Sequence, residues 1–181
     1  VAFSDFELAE IFQLAGFSPK TFQGKINGDV TLRQLQTNLN YLADLQVNDI
    51  LLYDEPLGDL TVEAEQLNPN APITIDSRLE GTRNDATVQG SYALNDNSFD
   101  LQANLERLEL RIADPFSEGL LQQSEGTLSG NFTIRGTPEA PAVNGTLALS
   151  DISTTVGITQ VRYRMPEQEE VQISSSQIEF G

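Results

Sequence analysis

The chain has 181 residues, enough for one domain, and carries 27 acidic against 10 basic side chains, a net charge of −17, with no histidine and no cysteine. Such a surface repels phosphate, which argues against nucleic acid or an anionic bilayer as a partner. Without histidine or cysteine the usual nucleophile–base pairs, zinc sites, haem ligands and iron–sulfur clusters are out of reach, so we expect no enzyme, no cofactor and no metal centre.

The first expected element is a helix near residues 6–15. Ser4-x-x-Glu7 has capping-box spacing, Leu8, Ile11, Phe12 and Ala15 follow at helical intervals, and Gly16 is a stop. From Phe22 the period becomes two. Phe22, Ile26, Val30 and Leu32 alternate with polar residues, as expected of a strand with one apolar and one solvated face. The same alternation recurs through Leu60-Val62, Ile73-Ile75, Val88-Tyr92, Leu101, Leu128-Phe132-Ile134 and Val143-Leu147-Leu149. It returns more faintly around Val161-Tyr163 and Val171-Ile173. Short loops at Arg83-Asn84-Asp85 and Asn95–Ser98 predict hairpins, and Pro69, Pro72, Pro138 and Pro141 predict breaks. Asp114-Pro115 predicts a second short helix near residues 115–122.

A repeat overlies this pattern. Gly24–Arg33 aligns with Gly126–Arg135 and Leu45–Ile50 with Leu147–Ile152, both at an offset of 102. We therefore expect two approximate repeats, 1–102 and 103–181, within one elongated all-β sheet. Short connections imply antiparallel neighbours, and about eleven strands at ~4.8 Å would span near 50 Å.

Two short helices cannot cover such a sheet, so it is expected to curl. Gly24, Gly28, Gly90, Gly126, Gly130, Gly136 and Gly145 fall in phase with the apolar positions, where they permit bending and leave room for an apolar trough. Asn27, Thr31, Asn131 and Thr133, one residue away, should face solvent. The carboxylate clusters Asp54-Glu55, Glu63 with Glu65, and Glu167 with Glu169-Glu170 lack calcium-loop spacing and are expected to be solvated.

The G-x-[IL]-x-G-x-[VF]-T-[LI] strands, the run Gly136–Leu147 and the Asp-Pro-Phe element resemble the TamB family, AsmA-like subunits of a translocation and assembly module, near its carboxy-terminal part. That resemblance implies a β-taco, a long U-shaped sheet with an apolar inner groove, in the periplasm of a diderm bacterium. It implies a bridge-like protein conducting phospholipids between inner and outer membrane. The groove-lining residues would then be Phe22, Ile26, Val30, Leu32, Leu60, Val62, Ile73, Ile75, Val88, Tyr92, Leu101, Leu128, Phe132, Ile134, Val143, Leu147 and Leu149. The family is also linked to outer-membrane protein assembly with a BamA-like partner, here through strand edges or the groove. A passive structural β rod is the third alternative. No run of about 18 apolar residues occurs, and the sequence starts at Val1, so we expect a fragment whose inner-membrane anchor lies elsewhere.

Overall fold

A strand that is apolar on one side must lay that side against something, and here strand is added to strand until a single sheet holds them all. The computed structural model describes residues 2–14, 18, 21–35, 38–68, 70–165, 167–174 and 177–180, with side chains at all but 14, 32–35, 38–41 and 177–180. In chain order the elements are β1 (Ala2–Glu7), α1 (Leu8–Leu14), β2 (Phe22–Leu35), β3 (Asn38–Leu52), β4 (Glu55–Glu65), β5 (Ile73–Glu80), β6 (Asp85–Ala93) and β7 (Ser98–Glu109). A 3-10 helix, η1 (Leu110–Ser117), then precedes β8 (Leu121–Thr137), β9 (Ala140–Val156), β10 (Val161–Met165), β11 (Glu169–Ser174) and β12 (Gln177–Phe180).

The twelve strands form one antiparallel meander in sequence order as far as β9. There the edge is shared: β10 pairs with Ile152–Val156, and β11 pairs with Gly145–Leu149 and carries β12 on its other side. β1 and β12 do not pair with each other, so the curled sheet is open and not a barrel. Both short hairpins form where expected, around residues 81–84 and 94–97. Asn84 is buried at the first tip, where its Nδ2 donates to the carbonyls of Pro56 and Leu57 and its Oδ1 accepts from the Glu109 amide. One side chain thus ties the ends of β4 and β7 around the shorter hairpin between them.

Two expectations about the helices are corrected. Ser4 and Glu7 do not cap α1; they lie in β1, whose Phe3 and Phe6 pair with Gly28 and Ile26. Burying those rings against the sheet outweighs a local cap, and the helix begins at Leu8. Asp114-Pro115 does not open a helix towards Leu121. Pro115 lies inside η1, which starts at Leu110, and Asp114 Oδ2 instead accepts from the Ser124 amide on β8, 3.0 Å away. Leu121 is already strand. The expected stop at Gly16, the helical position Ala15 and the break at Pro69 lie outside the described residues.

Of the register shifts along the sheet, two fall at corresponding positions of the repeat. Between Gln23 and Lys25 the single residue Gly24 faces Asp49 and Ile50, and between Glu125 and Thr127 the single residue Gly126 faces Asp151 and Ile152. Asp49 and Asp151 are both left-handed, with φ of 53° and 54°. Each is a β-bulge, which adds local twist and flips the alternation beyond it. Val47 and Ile50, three apart, consequently pack in one cluster.

Candidate functional site: a one-sided apolar face

Directly opposed residues in a ladder share a face, so the register decides what each face carries. One row runs Ile26–Val47–Leu60–Leu79–Ala86–Leu105–Gly130–Leu147–Val171. The next runs Gly28–Leu45–Val62–Ser77–Val88–Ala103–Phe132–Gly145–Ile173, and a third runs Val30–Ala43–Ala64–Ile75–Gly90–Leu101–Ile134–Val143. Beyond them Ile73 pairs with Tyr92, and Leu128 with Leu149. Only Ser77 interrupts these rows with a polar side chain, and its hydroxyl donates to the Val88 carbonyl.

One residue away, the opposite face runs Asp29–Asp44–Glu63–Asp76–Gln89–Gln102–Thr133–Asn144. Cross-strand pairs stitch it: Gln89 donates to Asp76 over 2.8 Å, and Arg135 meets Asp100 at 3.0 Å. These contacts are exposed and contribute little stability individually, so the cross-strand ladder and the apolar rows carry the sheet. Asn27 also lies on this face, yet it is not idle: its Oδ1 accepts from the Asp5 amide and its Nδ2 donates to Asn48.

The register thus brings Ile26, Val30, Leu60, Val62, Ile73, Ile75, Val88, Tyr92, Leu101, Leu128, Phe132, Ile134, Val143, Leu147 and Leu149 to one face. Phe22 lies past the Gly24 bulge, opposite Leu52, and packs on the cluster under α1. Leu32 pairs with Tyr41 in the ladder, but its side chain lies outside the described residues. The sequence-based set omitted Leu45, Val47, Ile50, Leu79 and Leu105. Four of these were recoverable from register parity, whereas Ile50 joins only because of the bulge at Asp49.

Most side chains on this face are half-buried, as in an open sheet. Full burial is confined to a few places, chiefly beneath α1, where Leu8 closes over Ile26, Val47 and Ile50 and Phe12 stacks on Phe22 with ring centroids 4.4 Å apart. The in-phase glycines have a steric reason. A Cβ on Gly28 (φ +127°) would stand 2.1 Å from the Asp44 carbonyl oxygen, and one on Gly90 (φ +154°) 2.1 Å from that of Asp100. Backbone conformation and close approach demand glycine there; the room left on the apolar face accompanies it.

Depressions of about 630, 350 and 260 Å³ lie on the polar face. The first is walled by Asp44, Glu63, Glu65 and Asp76, a setting that offers an acyl chain nothing and concentrates negative charge. Among the described residues no group of three carboxylates is arranged to hold a metal ion, and no helix is long and apolar enough to cross a membrane. Asp54 accepts from Gln23, and Glu55 lies 3.9 Å from Arg111. Glu169 departs from the expectation of a solvated cluster: it pairs with Leu149, half-buried at the margin of the apolar face.

With this geometry in hand, residues 74–178 match the family model described as the TamB C-terminal domain. Searches of curated proteins and of solved structures gave no match.

Proposed function

The chain belongs to the TamB C-terminal domain family, and on that premise we propose that its apolar face is a stretch of conduit for phospholipid acyl chains between the inner and outer membranes of a diderm bacterium. The observation that carries this reading is the continuity of the apolar rows. The first crosses nine strands from β2 to β11, roughly 40 Å at the usual strand spacing, with no charged side chain in it. An acyl chain needs an unbroken apolar wall, because one unpaired charge against hydrocarbon costs several kcal/mol. The polar face, one residue out of phase, keeps the sheet in water. In this reading the chain is a periplasmic segment, its inner-membrane anchor lies outside these residues, and it acts without catalysis, cofactor or nucleic acid. A rod that merely spaces two membranes needs no such continuity.

A second reading, assembly of outer-membrane proteins with a BamA-like partner, is favoured by β10. Its pairing partner is β9, whereas β11 beside it is covered by β12, which among the described residues leaves the outer side of β10 as an open edge. Open edges accept added strands. The two readings separate in the full-length protein. Val30→Asp, on the apolar face, should abolish outer-membrane barrier function at normal protein abundance, and Thr31→Asp should leave it intact. Equal effects at the two positions would sink the conduit. Loss of assembled outer-membrane proteins on substituting Tyr163 by Pro, with lipid-dependent barrier function retained, would favour the edge.

A further inference from the structure

Apolar ground on this sheet is not equally available. Ile26, Val47 and Ile50 are 4%, 5% and 5% exposed, packed with Leu8 and Phe12 of α1 and with Phe3 and Phe6 of β1, and half-buried Leu45, Leu57, Leu60 and Leu79 pack around the same cluster. The row that starts here continues past Leu79 through Ala86 and Leu105, which lie outside that cluster. An apolar ligand moving along that row would therefore meet α1 on the same face.

We propose that the ground beneath α1 is an acyl-chain subsite, and that α1 is a displaceable cover whose Leu8 and Phe12 occupy it in the absence of lipid. This rests on the conduit reading. α1 has seven residues, too few to persist as a helix off the sheet, so its helicity depends on its docking. The docking is apolar: Leu8 and Phe12 face the sheet, while Glu10, Ile11 and Gln13 are exposed. Among the described residues, neither Glu10 nor Gln13 makes a hydrogen bond or ion pair to the sheet. An acyl chain arriving at Leu60 thus exchanges one hydrocarbon contact for another and strands no buried polar group. The exchange is close to balanced, which is what a reversible cover requires.

The test uses the full chain, whose lack of cysteine makes thiol labelling unambiguous. A photo-crosslinking residue is placed at Leu60, beside α1, or at Leu101, on the same face away from it, and NBD-labelled phosphatidylethanolamine is the probe. Nitroxides at Glu10→Cys and Asp76→Cys report the distance from α1 to the polar face of β5. The expected result is strong capture at Leu101, weak capture at Leu60, and a severalfold rise at Leu60 alone in Phe12→Asp, with a smaller rise in Phe12→Ala. Lipid should also lengthen and broaden the Glu10–Asp76 distance in an otherwise unchanged chain, a readout that survives if Phe12→Asp fails to fold. Equal capture at both positions with an unchanged distance would overturn the cover and leave the conduit standing. An absence of capture at both positions would overturn conduit and cover together.

Discussion

At the bulge beside Gly24 the apolar face disappears under α1, whereas at the matching bulge beside Gly126, 102 residues on, Leu128, Leu149 and Ile152 stay half-buried. The strands and bulges of the two regions correspond, so the difference lies in the helices. In α1, Leu8 and Phe12 are four apart in an α-helix and fall on one side, against the sheet. In η1, Ile112 and Phe116 are also four apart, but at three residues per turn they diverge: Ile112 is buried, while Phe116 is 57% exposed with its ring edge-on to Tyr53. Pro115 inside η1 has no amide to donate, which favours this short, loosely bonded turn over a regular helix. The same sheet can therefore be covered or left open by the hydrogen-bond pattern of a single turn.

The largest effect that tests this contrast comes from a charge on the apolar face of each region. Val47→Asp puts an ion beneath α1, and a urea titration should show a loss of several kcal/mol or failure to fold. Leu149→Asp, half-buried opposite Leu128, should cost about 1–2 kcal/mol because water reaches it. Equal losses would mean the two regions are covered alike. Next in size is the ring each helix contributes. Phe12→Ala should lower stability by about 2–3 kcal/mol, against under about 1 kcal/mol for Phe116→Ala.

The bulge glycines should reverse the order. A Cβ on Gly126 (φ +116°) would meet Ile152 at 2.7 Å and two backbone oxygens at 2.8 Å, whereas on Gly24 its nearest neighbour is the Asn48 oxygen at 3.0 Å. Gly126→Ala should therefore cost about 2 kcal/mol and Gly24→Ala about 1 kcal/mol, measured by thermal denaturation. A more sensitive Gly24 would show that the α1 region, and not β8–β9, is the more tightly built.

The smallest effect is electrostatic and belongs to the η1 side alone. The Ser153 hydroxyl donates to Glu125, and Arg162 lies 2.7 Å from the same carboxylate, which together hold its pKa below the usual glutamate value. A lowered folded-state pKa makes the contribution complete above the unfolded glutamate range and removes it as pH falls through the folded value. Glu125→Gln should thus be slightly less stable than the parent at pH 7 and indistinguishable from it in strong acid. A difference that persisted in acid would assign the effect to packing.

How far the sequence discloses this structure depends on the alternation. Ile26, Gly28 and Val30 announce a one-sided strand, and because β2 to β9 are successive antiparallel neighbours, parity alone places Leu60, Val88, Phe132 and Leu147 on the same face. Strict parity fails at several register shifts, those at Asp49 and Asp151 among them. A left-handed residue there turns Ile50 and Ile152 back to the apolar side, and nothing in a period of two signals it. Phe3 and Phe6 were equally hidden: β1 carries its own irregularity between them, so they stand three apart, a helical interval inside a strand. η1 was misplaced because Asp-Pro is a good local opening signal, yet the Asp114 carboxylate was claimed by the backbone of β8, a partner ten residues away. The apolar face was legible from local pattern, and its cover was not, because the cluster that seats α1 is drawn from residues distant in sequence on β2, β3, β4 and β5.

The central claim is that one face of this sheet, and one only, meets acyl chains. Val88 and Gln89 are neighbours in the chain on opposite faces of β6, far from either edge of the sheet. A photo-crosslinking residue at each position in the full-length protein, followed by mass spectrometry of the adducts formed in cells, tests the claim directly. The account predicts phospholipid bound at Val88 and none at Gln89. Lipid captured equally at both, or at Gln89 alone, would contradict it.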